Sequence, residues 1–316
     1  MNEVFIGEYI RQRRKELHLT QAQLCEGICE PLAISRMERG VQTPQSATLN
    51  ALLERLGLPG ERCYALISKQ EKKRNDLQKE IVSLNVQYET ALEKDRPEYL
   101  RHAYDRLHEL EEIIDNNDRL SRQFILRSRV LLGREDGTAY TFEEQLDLLL
   151  QAIRLTVPRF DLDNINSFLY CLDEVKVINQ IAGVYSDMGQ NPKAAEILSQ
   201  LLRYIENHFP NIQQSGGHLP LITYNYSLCL LKCGHYEEML EIAEKGKAAC
   251  VKFGHYQNLP GLLHCMAIAC HYTADDTRSR ELFRQAYYLY MAIDNPRFAS
   301  QLQNDARKLF GSDFTF

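Results

Sequence analysis

The chain has 316 residues, more than one small domain needs and enough for two units with cores of their own. Tryptophan is absent, glycine and proline are few, and Leu, Glu, Lys, Arg, Ala and Gln recur at helical spacing without any useful alternating pattern, which excludes a β protein. A net charge of −6 excludes a surface that binds nucleic acid all over, while nine scattered cysteines and the lack of a signal sequence or membrane-length apolar run predict a reduced, soluble, cytoplasmic protein with no membrane contact.

Residues 3–17 repeat apolar groups at Ile6, Tyr9, Ile10 and Leu17, the packing face of a first helix. Thr20 is placed to cap a second, in which Leu24, Cys25 and Ile28 share one face. A third start signal follows at Glu30-Pro31, with proline at the first helical position, where its missing N–H costs nothing. Ile34 and Met37 turn inward on this helix and Gly40 ends it. Its other face carries Leu32, Ser35, Arg36 and Arg39, and is short, polar and cationic. Such a face suits the DNA major groove, where arginine reaches guanine O6 and N7 and an apolar tip meets a thymine methyl. Pro44 and Ser46 open a fourth helix with a stripe of Leu49, Leu52, Leu53 and Leu56; Gly57 and Pro59 close it, and Cys63, Leu66 and Ile67 predict a fifth.

Ile6-Gly7, Ile10-Arg11, Arg14, Leu19-Thr20-Gln21, Leu24, Ser35-Arg36-Met37-Glu38-Arg39-Gly40, Pro44 and the leucines from 49 to 56 together resemble the Xre family, the phage-repressor type of helix-turn-helix domain, over residues 1–67. The resemblance implies that Gln21 and Arg39 contact phosphates, that Pro31, Leu32 and Arg36 face base edges, and that Arg14 pairs with Glu38 as an internal brace. The turn between the two helices is one residue shorter than in most Xre domains, and reading positions that are often glutamine or serine are Pro31 and Leu32 here. Residues 1–67 hold eight Lys/Arg against eight Asp/Glu, so phosphate affinity must come from local clustering, with Arg11, Arg13, Arg14 and Lys15 on the first helix and Arg36 and Arg39 on the third. A neutral domain of this size binds weakly alone, and a homodimer is expected.

Residues 68–96 are strongly charged yet keep Leu77, Ile81, Leu84 and Tyr88 at helical intervals, which predicts an amphipathic connecting helix. From 97 to 316, helix-turn-helix units recur. The turn anchors Gly189, Gly234 and Ala274 are each preceded, seven positions earlier, by a small residue: Ala182, Ser227 and Ala267. Earlier pairs are expected at 98–116 with 119–132, and a helix at 142–156. The spacing points to a tetratricopeptide-like superhelix. The expected fold is thus all-α: an N-terminal five-helix phage-repressor-like domain and a C-terminal tetratricopeptide-like superhelix.

Helix-pair stacks curve, and the first helix of each pair lines the concave side, where an extended peptide can lie. On these helices Asn179, Gln180, Tyr224, Asn225, His264 and His271 interrupt apolar runs. Side-chain amides donate and accept at once, so they can hold a peptide backbone without demanding a sequence. An Xre domain followed by such repeats resembles the peptide-pheromone receptors of Gram-positive bacteria, the RRNPP class. That resemblance implies a cytoplasmic, dimeric transcription regulator that binds double-stranded DNA and a short signalling peptide.

The alternative is an adaptor whose repeats bind a protein partner, with the DNA domain as a tether. An enzyme is not expected, since no HExxH, phosphate-cradling glycine loop or GxSxG elbow occurs. No cofactor or metal is expected either: Cys25/Cys29 and Cys229/Cys233 are spaced by four, but they fall in helical patterns where a small buried residue fits.

Overall fold

The computed structural model describes residues 6–42, 44–58, 69–91, 93–115, 117–208, 218–312 and 314–316. Among them there are fifteen α-helices and no strand. The chain divides into two compact units, Met1–Val184 and Tyr185–Phe316.

The first unit opens with α1 (Ile6–Glu16), α2 (Gln21–Cys25), α3 (Pro31–Glu38) and α4 (Ser46–Arg55). The Thr20 hydroxyl accepts from the Gln23 amide while the Gln23 side chain reaches back to the Thr20 N–H, so two orphan amides at the start of α2 are satisfied reciprocally. α2 ends at Cys25, and Ile28 belongs to the turn, because Gly27 takes a φ of +74°. Proline stands at the start of α3 as its sequence predicts. Ile10, Leu24, Ile34, Met37, Leu49, Leu52, Leu53 and Leu56 form one buried core. The fifth helix expected around Cys63, Leu66 and Ile67 lies outside the described residues.

The same unit continues with α5 (Lys69–Thr90), α6 (Arg96–Ile113), α7 (Arg119–Leu132), α8 (Phe142–Thr156) and all but the last turn of α9 (Leu172–Asp187). Leu77 and Ile81 of α5 are buried with Leu100, Ala103, Leu107 and Leu110 of α6. α5 therefore packs along α6, and α7 along α8, while Ile125 and Leu132 of α7 join the same core and Arg129 of α7 donates to Glu111 of α6 at 2.6 Å. The helices expected to pair, 98–116 and 119–132, do meet, but each packs more extensively on another neighbour. The apolar stripe of α5 needs burial over its own length, and α6 is the neighbour that supplies it.

The second unit holds α10 (Asn191–His208), α11 (His218–Cys233), α12 (Tyr236–Phe253), α13 (Leu259–Tyr272), α14 (Asp276–Ala292) and α15 (Pro296–Phe310). Each packs on the next, and α11 also meets α13, as in a stack of helix pairs. Gly189, Gly234 and Ala274 all have positive φ, as do Gly254 and Asp294 at two further turns. Ala182, Ser227 and Ala267 are fully buried.

Candidate nucleic-acid interface and ligand face

α3 divides cleanly by burial. Ile34 and Met37 are inside, while Pro31, Leu32, Arg36 and Arg39 are exposed and Ser35 is half-buried. Leu32 is 57% exposed, a large apolar side chain left in water at the start of a short helix. The Arg39 Nε donates to the Ser35 carbonyl at 3.1 Å, which holds its guanidinium along the same face.

Behind this face lies a charged brace. Arg14 Nε and Nη2 donate to the two carboxylate oxygens of Glu38 at 2.6 and 2.8 Å, and Arg14 Nη1 donates to the Leu19 carbonyl. Gln21 Nε2 donates to the same carboxylate at 2.9 Å, so the side chain of this predicted phosphate contact is turned into the brace. Burial disfavours the Glu38 charge, but the bonds from Arg14 and Gln21 outweigh it and hold the carboxyl below the usual range. Of the four basic residues on α1, only Arg11 and Lys15 are exposed; Arg14 is buried, and Arg13 bonds to Glu16 and the Leu56 carbonyl.

The helix-turn-helix core is seated on α8 and α9 by a residue that sequence reasoning counted only as one more cation. Arg55 Nη1 donates to the carbonyls of Leu24 and Glu26, and Nη2 to the Thr156 carbonyl and Glu174 Oε1. It thereby satisfies free carbonyls at the C-terminal ends of α2 and α8. Glu54 Oε2 accepts from the Leu172 amide and Glu174 Oε2 from the Cys171 amide, so two carboxylates serve the N-terminus of α9. Gly27 is the point of closest approach: a Cβ there would lie 1.8 Å from the Thr156 carbonyl oxygen. No local signal marks Arg55, since its partners lie 101 and 119 residues away.

The six residues predicted to hold a peptide are divided between the units. Asn179 and Gln180 lie half-buried on α9. Tyr224 and Asn225 lie half-buried on α11, and His264 and His271 on α13. The Tyr224 ring covers Gly261, where a Cβ would come within 2.7 Å of it, and burial pushes its phenol up to about 12. His264 lies one turn further along α13, its Nε2 3.5 Å from Asp305 Oδ2; burial lowers it to about 4, so the ring is neutral at physiological pH. His271 is set apart, bonded through Nδ1 to Asp276 Oδ1 at 2.7 Å. The structure thus brings Tyr224 and His264 onto one stretch of α13 and ties His271 to the start of α14.

Among the described residues, no group of His, Cys, Asp and Glu is arranged to hold a metal ion, and no helix is long and apolar enough to cross a membrane.

Residues 10–62 match the family HTH_3, described as helix-turn-helix. No curated protein is matched by sequence. The fold resembles that of PlcR from Bacillus thuringiensis in complex with the peptide PapR7 and DNA, with a TM-score of 0.57 and 17% identity over 94% of this chain and 98% of that one. The apo form of PlcR matches with the same TM-score and coverage at 15% identity. The apo competence regulator ComR from Streptococcus vestibularis matches with a TM-score of 0.52 and 15% identity, over 96% of this chain and 98% of that one. The chain therefore carries a helix-turn-helix domain ahead of tetratricopeptide-like helix pairs, and in fold it resembles PlcR and ComR.

Proposed function

We propose that this protein is a sequence-specific DNA-binding transcription regulator whose repeat domain senses a short peptide. The bare face of α3 supports the first half most directly: Leu32, Arg36 and Arg39 remain in water while Ile34 and Met37 hold the helix from behind. Arg36 and Leu32 read base edges in the major groove, Ser35 and Arg39 reach the adjacent backbone, and Gln21 holds the brace and presents the start of α2 to a phosphate. The protein works as a homodimer in the cytoplasm, because the small positive face of one domain supplies few phosphate contacts.

The peptide half is supported by the fold shared with PlcR, which is solved with both a peptide and DNA. Asn179, Gln180, Tyr224, Asn225, His264 and His271 are the side chains offered to it. A peptide can act only by binding two arrangements of the protein with different affinity.

Capture of genomic fragments by the full-length protein, followed by sequencing, tests the reading. It predicts one enriched half-site sequence, and loss of that enrichment with Arg36→Ala. Enrichment that survives Arg36→Ala would remove α3 as the reading helix.

A further inference from the structure

On α9, Asp173, Lys176 and Gln180 follow one another at helical steps of three and four, on a single face. Asp173 and Lys176 line a cavity of about 460 Å³ together with Val82 of α5 and Phe124 of α7. Val82 and Val86, one turn apart on α5, are 47% and 48% exposed, although the opposite face of that helix is buried. They form an apolar strip beside the polar face of α9.

Arg127 stands one turn beyond Phe124 on α7, and the opposite charges that act on it are Asp173 of α9 and Glu89 of α5. It therefore sits where the three helices converge. It makes no hydrogen bond or ion pair with any described residue, and its Nε is buried. Burial lowers the guanidinium from its ordinary value. The side chain as a whole is half-buried, and a partly desolvated cation without a protein partner is stabilised when a ligand supplies one. Gln180 presents the complementary vacancy: its Oε1 is buried with no hydrogen-bond partner. Gln180 lies seven residues along α9 from Asp173, a rise of roughly 10 Å at about 1.5 Å per residue. About three residues of extended chain span that length.

We infer that Arg127 receives the terminal carboxylate of a bound peptide, with Gln180 accepting a backbone N–H about three residues upstream and Val82 and Val86 lying under the side chains between. This rests on the peptide-sensing reading above. The ligand charge is a single one: Glu89 and Asp173 repel any anion, but a dianionic phosphate about twice as strongly as a carboxylate, which also matches the guanidinium fork. No sequence pattern announces Arg127, which lies among the other arginines of α7.

The experiment uses immobilised full-length protein and two pools of random-sequence heptapeptides, one with free carboxyl termini and one amidated, with retained peptides quantified by mass spectrometry. Wild type retains the free-acid pool at least about 10-fold better than the amidated one. Arg127→Gln brings free-acid retention down to the amidated level, Arg127→Lys restores part of it, and Gln180→Ala weakens it without changing the preference for the acid. The melting temperature of the free Arg127→Gln protein stays level or rises, because a charge without a partner has been removed.

Equal retention of both pools by wild type, or a lower melting temperature in Arg127→Gln, overturns the assignment. So does selective capture of amidated peptides bearing Asp or Glu, which would move the carboxylate from the terminus to a side chain. Peptides held equally by wild type and Arg127→Gln leave the sensing reading intact and remove Arg127. If wild type holds neither pool, the sensing reading fails as well.

Discussion

Arg55 Nη2 lies 3.1 Å from Glu174 Oε1, with 119 residues of chain between them and both side chains withdrawn from water at 2% and 0% exposure. The guanidinium closes α4 of the helix-turn-helix core, and the carboxylate sits in the first turn of α9. A pair this dry gains stability only when its remaining donors and acceptors are also satisfied. Here the carbonyls of Leu24, Glu26 and Thr156 accept from the other Nη hydrogens of the guanidinium, and the Cys171 amide donates to the carboxylate.

Arg55→Met should therefore destabilise the first unit by about 3–5 kcal/mol, since Glu174 is left buried without its countercharge. Adding Glu174→Met should recover part of the loss, although the three carbonyls remain without their donor. Urea unfolding of the single and double variants measures the coupling. Strictly additive losses would show that the two side chains do not depend on each other.

Glu54 gives the same seat a pH dependence. Burial, with Asp173 adding to it, raises its carboxyl from an ordinary 4.5 to about 7. The folded state then holds this proton more tightly than the unfolded chain does. Its contribution is fully present below the unfolded value and is lost as pH rises through about 7. Across that window the change amounts to about 3 kcal/mol. Glu54→Gln keeps an acceptor for the Leu172 amide but cannot ionise, so its stability should fall less between about pH 5 and about pH 8 than that of wild type. Parallel stability curves for the two proteins would rule this out.

Two glycines separate backbone strain from steric overlap. Gly27 and Gly189 have φ of +74° and +79°, but a Cβ at Gly27 meets the Thr156 carbonyl whereas nothing lies within 4 Å of one at Gly189. Gly189→Ala should cost about 1–2 kcal/mol, the strain of a left-handed alanine. Gly27→Ala carries the same strain and must also push α8 away, so its cost should exceed that of Gly189→Ala, and amide exchange in the 24–29 turn should rise with it. Equal unfolding midpoints and unchanged exchange would mean that the turn can move off Thr156 freely.

Much of the first unit was legible in the sequence because its signals act over a few residues. Thr20 caps α2, Pro31 starts α3, and Ile34, Met37 and the leucines from 49 to 56 are buried as their spacing requires. The positive-φ turns at Gly189, Gly234 and Ala274 fall where the repeat spacing puts them. The brace between Arg14 and Glu38 follows from the family resemblance, but the recruitment of Gln21 into it does not.

The sequence by itself settled the first four helices, the cap of α2 and the start of α3, the repeat turns, and which side of α3 faces water, because hydrogen bonding and apolar periodicity within one or two turns determine each of these. Tertiary structure alone decided that α5 packs on α6, that Arg55 and Glu54 join α4 to the ends of α8 and α9, and that the Nε of Arg127 is buried with no hydrogen-bond partner among the described residues. Charges brought together across more than a hundred residues leave no periodic trace, since only the folded backbone sets the distance between them.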